Sequence, residues 1–161
     1  MLKVFLVEDE SIVREGLKNN FPWQEYGYQF MGEASDGEMA LPMIRKAQPN
    51  VLITDIKMPF MDGLALSQIV TQEMPDIKII IISGYDEFEY AQQAIRVGVE
   101  RYLLKPVTKG TLKKTLLEIR EKIETEQEQK SYLETFQNEM KEYERYSRRS
   151  FLEKVFGGVF S

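Results

Sequence analysis

Short apolar runs alternate with helical patterns over the first two thirds of this chain, and this alternation restricts the fold more than any other feature. Short apolar runs bounded by turn signals are typical of buried strands. Strands that alternate with helices form βαβ units, in which neighbouring strands are parallel. The five runs are Leu2–Val7, Tyr28–Ala34, Val51–Thr54, Ile77–Ser83 and Tyr102–Lys105.

Helical patterns fill the intervals between these runs. Ser11 is a candidate N-cap for the first helix, Asp36 for the second, and Gly98 is suited to end the fourth. Right-handed crossovers place such helices on both faces of the sheet. The sequence therefore predicts an α/β fold, a flavodoxin-like, doubly wound, five-stranded parallel sheet with strand order 2-1-3-4-5. The predicted helices are Ser11–Asn20, Gly37–Ala47, Leu64–Glu73, Asp86–Val97 and one that begins near Thr108.

Carboxylates follow the two strands at the centre of this predicted sheet. Glu8 and Asp9 follow the first run, and Asp55 follows the third. In this topology ligands bind beyond the carboxyl ends of these strands. Three carboxylates brought together repel one another unless a cation intervenes, and Mg²⁺ prefers such hard oxygen ligands. We therefore expect a Mg²⁺ site here, with Asp55 as a covalent acceptor of a phosphoryl group. Alternatively, Glu8 and Asp9 only cap the helix that follows.

The two remaining strand ends carry Ser83 and Lys105. A lysine ammonium can neutralise one phosphoryl oxygen, and a serine hydroxyl can donate to another. Either residue alone would usually be a turn residue at the surface. The bond between Lys105 and Pro106 is a candidate cis peptide. By contrast, Asp62-Gly63 is predicted only to shape a turn and begin a helix, and Tyr102 to be a half-buried strand tyrosine.

Composition excludes several other chemistries. The chain has no histidine and no cysteine, which rules out histidine-based triads, zinc sites with imidazole or thiolate ligands, and disulfides. The absence of cysteine fits a reducing, cytoplasmic location. No apolar stretch approaches the ~20 residues of a membrane helix, so no membrane contact is expected. A net charge of −5 also argues against nucleic acid binding by this chain.

The pattern changes after residue 108. A first apolar series follows heptad spacing at Leu112, Leu116, Ile119 and Ile123. Polar residues then occupy the next positions of this heptad. A second apolar series follows, with a spacing of three residues where the heptad would have four. We expect a long helix that either pairs with a second copy or is a single linker helix. The predicted domains are residues 1–125 and a helical extension, 126–161, whose apolar end begins a further region. The returning apolar residues are Leu133, Phe136, Met140 and Tyr143.

Taken together, these motifs resemble the receiver domain of bacterial two-component response regulators over residues 1 to about 125. The matching residues are Glu8-Asp9, Asp55 followed by Ile56-Lys57-Met58-Pro59, Asp62-Gly63, Ser83, Tyr102 and Lys105-Pro106. The resemblance implies that Asp55 accepts a phosphoryl group from the phosphohistidine of a partner sensor histidine kinase. It implies that Mg²⁺ binds to Asp9, Asp55 and the backbone carbonyl of Lys57, and that Glu8 contacts the ion through a water molecule. It assigns Ser83 and Lys105 to the phosphoryl oxygens and Tyr102 to an aromatic switch.

Residues 21–28 and 83–91 further resemble the subfamily that carries a C-terminal AraC-type DNA-binding domain, which is absent from this chain. DNA binding and transcription control are then expected only of the full-length protein. The resemblance also implies a change on the face formed by helix 4 and strand 5. A homodimer is expected through that face or through the C-terminal helix.

Two other functions stay open. A phosphatase of the haloacid dehalogenase type also uses an aspartate nucleophile at a strand end, with a second acid two residues later. Here that position is Lys57, and no cap domain is evident. A receiver-shaped dimer scaffold without phosphorylation is the third function considered.

Overall fold

The structure, a computed structural model, describes residues 1–84 and 88–160. Its five strands form one parallel sheet in the order β2-β1-β3-β4-β5, so the predicted topology is confirmed. Three strands differ from the predicted runs by one residue, because β3 includes Asp55, β4 starts later and β5 is shifted towards the N-terminus. The strands are β1 (Leu2–Val7), β2 (Tyr28–Ala34), β3 (Val51–Asp55), β4 (Lys78–Ser83) and β5 (Arg101–Leu104).

The helices also lie close to their predicted positions. Asp36 caps α2, since its carboxylate accepts a hydrogen bond from the Met39 amide at 2.8 Å. The prediction that Ser11 caps α1 is wrong. The N-cap is Glu10, whose carbonyl accepts the first helical hydrogen bond, so Ser11 is already helical. The predicted start of α4 at residue 86 lies outside the described residues. The helices are α1 (Ser11–Asn20), α2 (Gly37–Ala47), α3 (Gly63–Glu73), α4 (Phe88–Val97) and α5 (Lys109–Phe160), with a short 3-10 helix at Trp23–Tyr26.

The two central strands, β1 and β3, are buried on both faces. Every residue of β3 is buried, as are the four isoleucines of β4 beside it. Helices on both sides of a parallel sheet require such continuous apolar strands. Each fully buried aliphatic side chain contributes about 1.5–3 kcal/mol to folding. The carboxyl ends of β1 and β3 therefore lie at a rigid edge.

Helix α1 is packed differently. It contains no buried residue, and Ile12 is 86% exposed. Val13 and Leu17 line an open, largely apolar groove of about 700 Å³ together with Leu112 at the start of α5. The helix is instead attached partly by polar contacts, such as that of the Trp23 indole with the carbonyl of Lys18. Packing therefore constrains α1 less than the strands.

The contacts divide the chain into a compact unit, Met1–Arg120, and a remainder from Glu121 onward. Within the compact unit, the buried hydroxyl of Tyr28 donates to the Leu116 carbonyl of α5 at 2.6 Å. In the remainder, the helical residues Leu133, Phe136 and Met140 are each about half exposed. Over the described residues, no helix has an apolar stretch long enough to cross a membrane.

Candidate functional site

Three carboxylates meet at the carboxyl edge of the sheet. Oxygen atoms of Glu8, Asp9 and Asp55 all lie within 4.8 Å of one another. Glu8 and Asp55 are buried, whereas Asp9 is exposed. Glu8 and Asp9 do not act as the side-chain cap of α1, because that helix has Glu10 at its N-cap and no side-chain cap hydrogen bond. The cluster is thus open to solvent on one side and enclosed on the other.

Lys105 follows β5 and reaches into the same cluster. Its ammonium lies 3.0 Å from Glu8 Oε1 and 3.0 Å from Asp55 Oδ2. The peptide bond to Pro106 is cis. The second oxygen of Asp55 accepts a hydrogen bond from the Ile56 amide at 2.8 Å. Asp55 is therefore held by one charged donor and one backbone donor. The cluster as a whole brings one ammonium together with three carboxyl groups.

Burial, together with the hydrogen bonds and charges inside the cluster, shifts the pKa of each carboxyl group. Burial raises the pKa of Glu8 to about 8, and the hydrogen bond with Asp55 and its charge add to the effect. Burial also acts to raise the pKa of Asp55, but hydrogen bonds with Glu8 and Lys105 outweigh it and hold that pKa below its ordinary value. Burial and the bond with Asp55 raise the pKa of Asp9. These shifts favour an ionised Asp55 and a protonated Glu8 at neutral pH in the absence of a cation.

We expect the stability of the metal-free protein to fall as the pH rises from 5 to 8. In this window the folded state keeps a proton on Glu8, whose pKa is raised from 4.5 to about 8, while the unfolded chain has released it. The lowered pKa of Asp55 affects stability only in more acidic solution.

Urea unfolding at a series of pH values, without divalent ions, measures this dependence. The Glu8→Gln variant is the control and should show a smaller fall in stability, because only the raised pKa of the exposed Asp9 then acts in the same direction. An unfolding free energy that rises over the same window in the wild type would contradict the assignment of the proton to Glu8.

Ser83 and Tyr102 lie on β4 and β5, the two strands that follow β3 in the sheet. Ser83 ends β4 one residue beyond Ile82, the partner of Asp55 in the sheet, and is fully buried. Its hydroxyl is hydrogen-bonded to the hydroxyl of Tyr102, a half-buried residue of β5. The amide of Lys105 donates to the Ser83 carbonyl at 2.7 Å. The two hydroxyls thus form a pair next to the lysine, with Tyr102 turned inward.

Lys57 lies in the loop between β3 and α3. Its ammonium is 6.0 Å from the centre of the Tyr90 ring on α4. The predicted role of Lys57 uses only its backbone carbonyl. A lysine has no carboxyl group, which argues against the role of the second acid that a haloacid dehalogenase requires at this position.

Gly63 is a contributor to the site that sequence reasoning missed. Its amide donates to the Ile56 carbonyl at 2.8 Å, and a Cβ at this position would lie 2.1 Å from the carbonyl oxygen of Asp55. The neighbouring Asp62 caps α3 by accepting from the Ala65 amide. Asp62-Gly63 begins α3 as predicted, but the sequence does not reveal that the start of this helix rests on the backbone of Asp55.

The donor set fits a hard divalent cation. Three carboxylates against one ammonium leave a net negative charge in a partly enclosed site, and Mg²⁺ binds such oxygen ligands while keeping several waters. Asp9 is exposed and offers the accessible side of the cluster. Glu8 must lose its proton before it can stabilise the cation.

Curated relatives of this chain are bacterial regulators. One is an uncharacterized transcriptional regulatory protein, YesN of Bacillus subtilis (strain 168), with 34% identity over 99% of this chain and 43% of the relative. Another is the transcriptional regulatory protein HptR of Staphylococcus aureus (strain N315), with 42% identity over 73% of this chain and 49% of the relative. The chain thus spans less than half the length of these relatives.

Solved structures agree with this relationship. The REC domain of AraT, a response regulator from Geobacillus stearothermophilus, is 42% identical with a TM-score of 0.74, covering 78% of this chain and 98% of that domain. A two-component transcriptional regulator AraC from Clostridium phytofermentans ISDg is 33% identical with a TM-score of 0.73, covering 79% of this chain and 98% of that structure. The family model described as the response regulator receiver domain matches residues 4–117. This chain therefore belongs to the family of response regulator receiver domains.

Proposed function

We propose that this receiver domain is a phosphorylation-dependent switch in which Asp55 accepts a phosphoryl group from a sensor histidine kinase. The observation that carries the proposal is the environment of Asp55. Its carboxylate is ionised, lies 3.0 Å from the Lys105 ammonium, and shares the sheet edge with two more carboxylates. This arrangement combines a nucleophile with groups that neutralise a phosphoryl group.

The proposed transfer is an in-line displacement. As the Asp55 oxygen bonds to phosphorus, the P–N bond of the phosphohistidine breaks, and the imidazole keeps the electron pair and takes up a proton. Lys105 and the Ser83 hydroxyl bind phosphoryl oxygens. Glu8 through water, Asp9, Asp55 and the backbone carbonyl of Lys57 are the proposed ligands of Mg²⁺, which supplies further charge neutralisation when bound. The same residues can also support slow hydrolysis of the product.

The response of the domain begins at the pair formed by Ser83 and Tyr102. Once Ser83 turns its hydroxyl towards the acyl phosphate, the hydrogen bond between Ser83 and Tyr102 breaks, and Tyr102 moves into the space that Ser83 leaves. Tyr102 lies on β5, so the face formed by α4 and β5 changes with it. Ile95 of α4 and Leu104 of β5 are exposed apolar side chains there, which suits contact with a second copy.

The helical segment from Glu121 onward offers a second surface for pairing. Leu133, Phe136, Met140 and Tyr143 follow three-four-three spacing, which places them along one stripe of the helix. Each is 45–66% exposed. Covering this stripe with the same stripe of a second copy would bury apolar surface from both. The output is then transcription control by the full-length protein, whose DNA-binding domain we infer from the relatives.

Incubation of the chain with acetyl phosphate and Mg²⁺, followed by intact mass measurement, tests the proposal. We expect one phosphoryl group that remains attached long enough to detect. Turnover of acetyl phosphate without labelling would favour the phosphatase alternative, and neither labelling nor turnover would favour the scaffold. Light scattering of the same samples, with and without beryllium fluoride, shows whether the modified form dimerises; an unchanged mass would remove the dimer from the proposal.

A further inference from the structure

Arg14 of α1 contacts the turn that carries two of the three carboxylates. Its Nη1 atom donates to the backbone carbonyl of Glu8 at 2.7 Å, and its side chain is 19% exposed. This carbonyl belongs to the peptide bond that joins Glu8 to Asp9. A hydrogen bond from a guanidinium to a partly buried carbonyl is charge-assisted and directional. Arg14 therefore fixes the orientation of the peptide between the two acidic residues.

Glu33 on β2 holds the guanidinium from the other side. The Nε atom of Arg14 is 3.9 Å from Glu33 Oε2, a buried oxygen that makes no hydrogen bond with any residue the structure describes. Lys18 approaches the other oxygen of Glu33 at 3.4 Å. The adjacent Ala34 carbonyl accepts from the Glu8 amide at 3.0 Å. The turn after β1 is thus tied to β2 twice, once through the backbone and once through Arg14.

The surroundings of the turn explain why such a tie matters. Helix α1 has no buried residue that would anchor the turn by packing. Glu8, Asp9 and Asp55 repel one another when ionised, which pushes the turn away from Asp55. A rigid support for the peptide holds the carboxylates together before the cation binds. Less of the binding free energy of the cation is then spent on overcoming their repulsion.

We propose that Arg14 is a positioning residue of the metal site, supported by Glu33. It acts through the carbonyl of Glu8 and directs the carboxylates of Glu8 and Asp9 towards Asp55. The inference rests on the proposed function for the identity of the cation. It extends that function by placing a determinant of Mg²⁺ affinity on α1, outside the carboxylate cluster. Partners that orient metal ligands commonly affect metal affinity by about 10–100-fold.

Titration of the full chain with Mg²⁺, followed through the amide NMR signals of Asp9 and Ile56, tests this inference. We expect Arg14→Met to bind Mg²⁺ about 10-fold more weakly than the wild type. Arg14→Lys should recover part of the affinity, because an ammonium can donate to the Glu8 carbonyl but cannot also pair with Glu33 through a second nitrogen. The matched control is Lys18→Met, which removes the other cation beside Glu33 and should keep the affinity within about twofold.

Several outcomes would overturn the inference. One is an Arg14→Met variant that binds Mg²⁺ as tightly as the wild type, and another is a Lys18→Met variant that loses as much affinity. If Arg14→Met does not fold, Arg14→Lys and Glu33→Gln decide, and wild-type affinity in both would count against Arg14. Mg²⁺ binding is measured without phosphorylation. A wild type that binds Mg²⁺ but is not labelled by acetyl phosphate therefore contradicts only the proposed function.

Discussion

The Asp55→Asn variant is expected to accept no detectable phosphoryl group from acetyl phosphate. An amide has no ionised oxygen to attack phosphorus, and the loss of a nucleophile commonly lowers a rate on the order of 10³-fold or more. The variant should still fold, because it removes one charge from a cluster of mutually repelling carboxylates. Intact mass measurement after incubation with acetyl phosphate and Mg²⁺ provides the comparison with the wild type.

Asp76→Asn is the matched control for this variant. Asp76 is exposed in the loop between α3 and β4, so the same chemical change there should leave labelling intact. Full labelling of Asp55→Asn would mean that another residue accepts the phosphoryl group. Loss of labelling in both variants would indicate a general effect on the sample and would remove the support for Asp55.

Gly63→Ala is expected to destabilise the domain by about 3 kcal/mol and to weaken Mg²⁺ binding. The added Cβ would lie 2.1 Å from the carbonyl oxygen of Asp55 and 3.0 Å from the Cα of Ile56, both backbone atoms that cannot rotate away. Overpacking against a rigid core commonly costs about 1–3 kcal/mol. Either α3 or the end of β3 must move, and movement of β3 displaces the acceptor carboxylate. Urea unfolding and Mg²⁺ titration measure the two effects.

Gly16→Ala gives the matched control on α1. Its added Cβ would have the side chain of Asn20 at 3.9 Å as its nearest neighbour, which is ordinary van der Waals contact. Alanine has a higher helix propensity than glycine, so this variant should be more stable than the wild type by about 0.5–1 kcal/mol. A Gly63→Ala protein that is as stable as the Gly16→Ala protein would show that α3 does not rest on the backbone of Asp55.

The sheet and the carboxylate cluster could be predicted because they depend on patterns that sequence encodes directly. β-Branched residues in continuous runs mark buried parallel strands, and the strand order then places Asp55 beside Glu8 and Asp9. The contribution of Gly63 could not be predicted, since it depends on how closely α3 approaches β3. The sequence around a glycine after a strand does not show whether an added Cβ would contact solvent or a carbonyl oxygen.

Arg14 was missed for a related reason. Its partners are Glu8 in the turn after β1 and Glu33 on β2, and helical periodicity does not reveal which backbone carbonyl a long side chain reaches. Ser11 shows the opposite error. It has a side chain well suited to an N-cap, but the chain enters the helix one residue earlier, at Glu10. Local preference predicted the bounds of the helix, Ser11–Asn20, but placed its cap one residue too late.

The sparse packing of α1 has a consequence for how such proteins diversify. Substitutions at its outward positions disturb no buried contact, so they leave the fold and the carboxylates unaffected. After a gene duplication, the outward positions of this helix can therefore change in one copy while Arg14 and Lys105, which lines the neighbouring groove, stay the same. Two signalling pathways can separate in this way while each retains the same phosphoacceptor chemistry.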